Sequence, residues 1–265
     1  AMAIYMWSAV GKVTLEGGTY TQQITNTSDT HFDLLYVDRG SLYVKGGTYE
    51  CHTPEWTLNC LDAHYPDDAH IEVTGGTFKG FDPSNNTAEG KGSSFVAPGV
   101  GVNAENGSFA AVPDMAAQIL DANGSSVKAY SNMYDACMDA VSGQTIKLLQ
   151  NSDKNMDAIV CPANTTLTID LNGYEYDGNE WSGHFTAAIE LNNAGANLTV
   201  KNGTLASCHY EAIAVLAEDC KVTLENVAMI SNKSSSWDTG KYGIATNGSA
   251  SGSQDSSAGL QLTLK

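Results

Sequence analysis

Apolar and polar residues alternate along three near-copies of one eight-residue phrase at the start of the chain. The copies occupy residues 13–20 (VTLEGGTY), 42–49 (LYVKGGTY) and 71–78 (IEVTGGTF), so the phrase repeats every 29 residues. The alternation predicts a short β-strand, and the Gly-Gly pair predicts a sharp corner after it. A strand and a corner that recur at a fixed period predict a stack of similar coils.

The second half of the chain carries the same pattern in a weaker form. Its copies are residues 198–204 (LTVKNGT), 222–226 (VTLEN) and 262–265 (LTLK), with Asn in place of the first Gly where the corner is included. Asn and Gly both tolerate left-handed backbone angles, so the corner is kept. Each of the six copies follows another apolar strand, and these strands cover residues 4–7, 34–37, 58–61, 188–191, 213–216 and 242–245.

These six units predict the coils of a parallel β-helix. A coil of about 24 to 29 residues, with two or three strands joined by short turns, can stack in register on the next coil and bury its apolar side chains. Leucine-rich repeats have a similar period, but the chain lacks their Leu-x-x-Leu-x-Leu-x-x-Asn pattern. We therefore expect an all-β solenoid.

The repeat is interrupted between the two sets of coils. Residues 100–112 and 117–130 each predict a β-hairpin, because Asn-Gly turns lie within both segments. Residues 131–141 predict one short α-helix with Ser131 as its N-cap. We expect this helix to cover the open end of a solenoid.

The predicted organisation has three parts. The first set of β-helix coils occupies residues 1–98, and a β-hairpin connector occupies residues 99–130. The capping helix and the second set of β-helix coils occupy residues 131–265.

Several segments resemble a known family. Residues 131–140 (SNMYDACMDA), 145–149 (TIKLL) and 167–174 (LTIDLNGY) resemble the opening of pectate-lyase-like domains in surface proteins of Gram-positive gut bacteria. Residues 75–86 (GGTFKGFDPSNN), 88–90 (AEG) and 95–97 (FVA) resemble the closing coil of such domains. The resemblance implies a right-handed parallel β-helix and gives almost no information on activity.

The coils of residues 1–98, which end in the segment that resembles a closing coil (closing-type), come before those of residues 131–265, which begin with the segment that resembles an opening (opening-type). The last residues of the chain lie inside a predicted coil. The chain is then either a piece of a tandem array or one permuted solenoid whose coil near Lys265 stacks on the coil near Ile4. In a third arrangement, the end coil of one molecule stacks on the first coil of the next. We expect these ends to meet within or between chains, so self-association through open solenoid ends is a predicted property.

The charge of the chain excludes several partners. The net charge is −17, with 13 Lys plus Arg against 30 Asp plus Glu, and Arg39 is the only arginine. Nucleic acids and anionic membranes both require a cationic surface, so neither is an expected partner. No apolar run is long enough to span a bilayer, and we expect no membrane insertion. Abundant Thr, Ser, Asn and Gly favour an extracellular or cell-surface location.

Six cysteines, at positions 51, 60, 137, 161, 208 and 220, can pair in 15 ways. Local pairing would join Cys51 to Cys60 and Cys208 to Cys220. The alternative is a set of free, buried thiols. The chain has no Cys-x-x-Cys, which argues against a zinc ribbon or a thioredoxin-like site.

One acidic segment is the candidate for catalysis. It contains Glu55, Asp62, Asp67 and Asp68, and paired carboxylates can bind calcium or serve as acid and base in sugar hydrolysis. A Pro-Asp-Asp sequence is usually a solvated turn, and this is the favoured interpretation. Of the motifs typical of polygalacturonase-like enzymes, only an Asp-Asp is present.

Three tryptophans near predicted loops, Trp56, Trp181 and Trp237, could stack on sugars, although packing within loops is the simpler interpretation. His31, His184 and His209 lack the spacing of a zinc site, and we expect no metal and no cofactor.

The sequence favours a non-catalytic structural or adhesive module of a bacterial surface protein, which displays loops for binding a host or bacterial glycan or a surface protein. The alternatives are a polysaccharide hydrolase or lyase that uses the loop carboxylates, and a phage tail-fibre or spike module.

Overall fold

The computed structural model describes residues 2–22, 33–152, 158–178, 187–207, 212–230, 243–246 and 259–265. This part of the chain is mostly β and includes one α-helix, which confirms the expectation of a largely all-β protein. Within the same residues, no helix is both long enough and apolar enough to cross a membrane.

The strands follow one another in short segments. The first eleven are β1 (Ile4–Leu15), β2 (Thr19–Thr21), β3 (Leu35–Val44), β4 (Thr48–Glu50), β5 (Leu58–Cys60), β6 (Ala69–Val73), β7 (Gly76–Lys79), β8 (Gly101–Glu105), β9 (Ser108–Val112), β10 (Ala117–Leu120) and β11 (Ser126–Tyr130). The remaining ones are β12 (Thr145–Leu148), β13 (Ile159–Val160), β14 (Thr166–Asp170), β15 (Glu175–Gly178), β16 (Ile189–Leu191), β17 (Asn197–Ser207), β18 (Ile213–Val215), β19 (Lys221–Ile230), β20 (Ile244–Thr246) and β21 (Gln261–Leu264). Helix α1 (Met133–Asp139) precedes β12, and a 3-10 helix (Pro54–Trp56) precedes β5.

The chain divides into two compact units. The first unit contains residues 1–115 and 124–129, and the second contains residues 116–123 and 130–265. Each unit has its own buried hydrophobic core.

In the first unit, the three copies of the repeated phrase pair in parallel. Strand β3 pairs with β1 on one side and with β5 and β6 on the other, so Val13, Leu42 and Ile71 occupy one row. Strands β2, β4 and β7 form a second parallel set, which β9 and β8 extend with antiparallel pairing. The predicted hairpin over residues 100–112 is present as β8 and β9.

The corner after each phrase brings two backbones close together. Gly46 lies against the carbonyl oxygen of Glu16, and Gly75 lies against that of Lys45. The next glycine, Gly47, has a φ of +107°, a left-handed value that a residue with a Cβ rarely adopts. The Gly-Gly pair therefore serves both the close approach and the turn.

The aromatic residue that ends each phrase forms a stack. The rings of Tyr20 and Tyr49 lie 5.2 Å apart, and those of Tyr49 and Phe78 lie 4.9 Å apart. Both pairs are nearly parallel. The ring of Phe81 contacts that of Phe78 at a tilt of 53° and stacks on Phe95. Repetition of one aromatic position every 29 residues produces this ladder.

In the second unit, parallel pairing again joins the repeated segments. Strands β12, β14, β17, β19 and β21 pair in that order, and β10 pairs antiparallel with β12. Strand β15 also pairs with β17, and β13, β16, β18 and β20 form another parallel set. Asn172, Asn202 and Asn226 all have φ between 53° and 59°, which confirms that Asn keeps the corner.

Helix α1 is shorter than predicted. Asn132 is its N-cap in place of Ser131, because the Asn132 side chain accepts a hydrogen bond of 2.7 Å from the Asp135 N–H. Met133, Ala136 and Cys137 are buried in the core of the second unit. Met138 and Val141 are exposed, so only part of the apolar side chains in this segment is buried.

The cysteines of the described residues are free thiols. Cys51, Cys60, Cys137, Cys161 and Cys220 are all buried and unpaired with one another. Of the two alternatives, local pairing of Cys51 with Cys60 is therefore wrong, and free, buried thiols are confirmed for these five cysteines. Cys208 lies outside the described residues.

Candidate functional site

The four carboxylates of the candidate catalytic segment lie at the surface of the first unit. Glu55 is exposed on the 3-10 helix, and Asp62, Asp67 and Asp68 are exposed between β5 and β6. Within the described part of the chain, none of their side chains forms a hydrogen bond or an ion pair. Each of the four carboxylates is therefore open to solvent.

A polar cluster forms close to this segment around His64. Its Nδ1 lies 2.8 Å from the backbone oxygen of Asp38 and 3.0 Å from Asp38 Oδ1. Its Nε2 lies 2.8 Å from Nη2 of Arg39. A guanidinium group can only donate, so Nε2 accepts and the proton of a neutral His64 resides on Nδ1. Tyr5 completes the cluster, because its hydroxyl donates to Asp38 Oδ2 over 3.3 Å.

This arrangement limits what His64 can do chemically. A general base needs a nitrogen lone pair within reach of the substrate proton. Arg39 occupies the Nε2 lone pair, and Asp38 accepts from Nδ1. The imidazole therefore holds the turn after β5 against β3.

The sequence interpretation missed this cluster. Neither Arg39 nor Asp38 is among the candidate site residues predicted from the sequence. The cluster depends on irregular pairing of β1 with β3, where Met6 faces Val37 but Trp7 faces Arg39, so that Asp38 is skipped. Alternation alone contains no signal for such a bulge.

A second polar contact involves Glu89, which was not a candidate. Its Oε1 accepts a hydrogen bond of 2.6 Å from the backbone N–H of Cys60. Burial raises the pKa of the Glu89 carboxyl, the Cys60 N–H opposes this shift, and the charges of Asp62 and Asp33 add to it. Burial likewise raises the pKa of the Cys60 thiol far above its usual range, so Cys60 is a poor nucleophile.

Asn59 lies beside these groups and is buried. Its side-chain nitrogen donates to Asp33 Oδ1 over 2.8 Å. Its side-chain oxygen has no hydrogen-bond partner among the described residues. No group of three or more His, Cys, Asp or Glu side chains in the described ranges is placed to hold a metal ion.

The second unit carries an open groove of about 530 Å³ along its corners. Its lining consists of Gly173, Asn202, Gly203, Thr204, Asn226, Val227, Ala228 and Lys265. Ion pairs flank it, with Lys265 Nζ 2.8 Å from Glu225 Oε1 and Lys201 Nζ 3.5 Å from Asp170 Oδ2. Amide and hydroxyl groups of this kind can donate to and accept from a hydroxyl-rich ligand.

Only one of the three candidate tryptophans lies within the described residues. Trp56 is half-buried on the 3-10 helix, whereas Trp181 and Trp237 lie outside the described residues. Trp7 was not a candidate, yet its side chain is 74% exposed on β1. Alternation could have revealed it, because Tyr5 and Trp7 flank the buried Met6 and so share the opposite face of the strand.

Comparison of the chain with protein-family models, with curated proteins and with solved structures gave no match. The function is therefore inferred from the residues and their geometry.

Proposed function

We propose that this protein is a non-catalytic extracellular module whose coils form a right-handed parallel β-helix and whose surface binds glycan or protein. The observation that carries the proposal is the in-register parallel stacking of repeated segments. In the first unit one row contains Val13, Leu42 and Ile71. In the second unit an equivalent row contains Leu198, Val222 and Leu262.

Several features support β-helical coils. Each repeat supplies strands to more than one parallel set, as β3 and β4 do in the first unit and β18 and β19 do in the second. The residues at the corners repeat as well, as Gly in one unit and Asn in the other. The right hand follows from the resemblance to pectate-lyase-like repeat domains of Gram-positive gut bacteria.

A structural or adhesive role fits the chemistry of the surface. The carboxylates of the acidic segment are exposed, and both ring nitrogens of His64 are engaged in contacts with Arg39 and Asp38. These features support display of the loops for binding over acid and base catalysis. The net charge of −17 opposes anionic polymers and favours neutral glycans or basic protein surfaces.

The groove of the second unit is the proposed glycan-binding surface. Thr204 and Ala228 face each other across β17 and β19, and Ala228 is exposed. Exchange of Ala228 for Trp would fill the groove with an indole ring, whereas Met138→Trp adds the same ring at an exposed position on α1. We expect Ala228→Trp to abolish glycan binding and Met138→Trp to leave it intact.

The polysaccharide-degrading enzyme is the rival function, and one experiment separates the two. The protein is incubated with neutral and acidic polysaccharides, and both retention on the polymer and release of reducing or unsaturated ends are measured. The proposal expects retention without release of products. Release of products that disappears in the Asp67→Asn, Asp68→Asn double variant would overturn it.

A further inference from the structure

We propose that β21 of one molecule pairs in parallel with β1 of a second copy, so that chains associate head to tail. Both strands are open edges in the described residues, since β1 pairs with β3 alone and β21 pairs with β19 alone. An open edge presents unpaired N–H and C=O groups that can accept a further strand. The inference does not depend on the proposed glycan binding.

Apolar side chains are exposed on both edges. Leu262 and Leu264 on β21 are 46% and 65% exposed, although Val222 and Leu224 in the same rows are buried. On β1, Tyr5 and Trp7 are exposed, and one face of the Tyr5 ring stacks on Tyr36 at 5.7 Å. Pairing of β21 with β1 would cover Leu262 and Leu264 in the way that internal strands cover one another.

The two edges have matching sequences. Leu262-Thr263-Leu264-Lys265 on one edge corresponds to Val13-Thr14-Leu15-Glu16 on the other. With Leu264 opposite Leu15, the apolar rows of the two molecules become continuous. The same register places Lys265 opposite Glu16.

Charge alternates along the row that this register extends. Asp170, Lys201 and Glu225 are successive partners in the second unit, and Lys265 follows with its Nζ beside Glu225. In the first unit, Lys45 Nζ lies 3.5 Å from Glu16 Oε1. Lys265 of one molecule beside Glu16 of the next therefore continues the alternation of sign without placing like charges together.

Gly17 provides an independent indication. Its equivalents Gly46 and Gly75 lie against the carbonyl oxygens of Glu16 and Lys45, one coil earlier, and cannot accept a Cβ. A Cβ on Gly17 would meet nothing within 4 Å, and its φ lies outside the left-handed region. A second copy in the proposed register would place the Lys265 carbonyl oxygen against Gly17, which gives this glycine the role of the other two.

The pairing is heterologous, because one molecule uses β21 and the other uses β1. Such a contact leaves a free edge at each end of the pair and can continue into open chains. We therefore expect the mass in solution to rise with protein concentration.

The test is size-exclusion chromatography with light scattering, over about a hundredfold range of concentration. Gly17→Ala blocks the β1 edge, and Leu264→Lys places a charge on the β21 edge. Met138→Lys is the matched control, since Met138 is 50% exposed on α1, which packs against β10, β12 and β13. Circular dichroism melts of each variant at low concentration establish that the variant is folded.

We expect the unchanged protein and Met138→Lys to form larger species, and each edge variant to weaken association by about tenfold or more. An equimolar mixture of the two edge variants should form dimers and nothing larger, because one variant retains β21 and the other retains β1. A monomer at every concentration for the unchanged protein would overturn the proposal. Undiminished assembly of folded Gly17→Ala and Leu264→Lys, or a mixture that stays monomeric, would also overturn it.

Discussion

Gly46 lies directly against the backbone of Glu16, so that a Cβ at residue 46 would stand 2.6 Å from the Glu16 carbonyl oxygen. No other residue fits without displacement of one of the two repeats, because this distance is shorter than real Cβ contacts allow. Gly46 therefore fixes how closely the first two repeats can approach.

This contact predicts that a Gly→Ala substitution lowers the free energy of unfolding by different amounts at equivalent corners. Gly46→Ala and Gly75→Ala should each lower the free energy of unfolding by about 1 to 3 kcal/mol, because the added methyl overpacks the corner. Gly17→Ala, which meets nothing within 4 Å, should change it by less than about 1 kcal/mol. Urea unfolding of dilute protein measures all three, and equal costs at the three corners would contradict the stacking.

We expect the residue at the centre of the aromatic ladder to contribute most to the free energy of unfolding. Phe78 is fully buried, and its ring stacks on that of Tyr49. Phe78→Ala should lower the free energy of unfolding by about 3 to 5 kcal/mol. Tyr20→Ala at the half-exposed end of the ladder should cost clearly less, and chemical denaturation compares the two. A larger loss for Tyr20→Ala would show that the stack is not the stabilising element.

Glu89 predicts a specific dependence of stability on pH. Burial raises the pKa of the Glu89 carboxyl in the folded state above its ordinary value of 4.5. Between pH 4.5 and the raised pKa, the folded protein therefore holds a proton that the unfolded chain has lost. The contribution of Glu89 to stability is therefore complete below pH 4.5 and declines as the pH rises to the raised pKa.

Glu89→Gln should lack this decline while it keeps an acceptor for the Cys60 N–H. The free energy of unfolding of Glu89→Gln relative to the unchanged protein should thus increase from about pH 4.5 upward. Glu105→Gln, at an exposed position on β8, serves as the matched control. Parallel pH profiles for Glu89→Gln and the unchanged protein would contradict the shift.

The buried thiols predict unreactive cysteines. Burial raises the pKa of the Cys161 thiol to about 11. Burial and, to a smaller extent, the nearby Cys161 raise the pKa of the Cys137 thiol well above its usual range. In a Cys208→Ser background, an aromatic disulfide reagent at mildly alkaline pH should modify no thiol in the native protein and all five in urea. A reductant should leave the melting temperature unchanged, and a reductant-dependent melting temperature would reveal a disulfide.

The sequence predicted the stacked strands well because their determinants are local. Alternation defines the strands from Val13 and Leu42, and Gly or Asn marks each corner by its backbone freedom. The rows then follow from the repeat period. The N-cap was wrong by one residue because Ser131 and Asn132 are both competent caps, and only the geometry of the turn decides between them.

The polar clusters could not be predicted in the same way. The contact of Arg39 with His64 requires the skipped residue Asp38 in β3. The contact of Glu89 with Cys60 requires the segment after β7 to return to the strand β5. Such contacts depend on irregular chain paths, which hydrophobic periodicity does not encode.

The most direct test of the account concerns the stacking of the repeats as successive coils. Thr21, Glu50 and Lys79 are exposed and occupy one row in β2, β4 and β7. Nitroxide labels on a Thr21→Cys, Lys79→Cys variant should therefore lie two strand spacings apart, with backbones separated by about 10 Å.

Continuous-wave electron paramagnetic resonance of the frozen, labelled protein measures this separation. The unsubstituted chain, whose described thiols are buried, reports any background labelling. We predict strong dipolar broadening in the double variant compared with the sum of the two single variants. A double-variant spectrum equal to that sum would contradict the stacking of the repeats and, with it, the proposed β-helix.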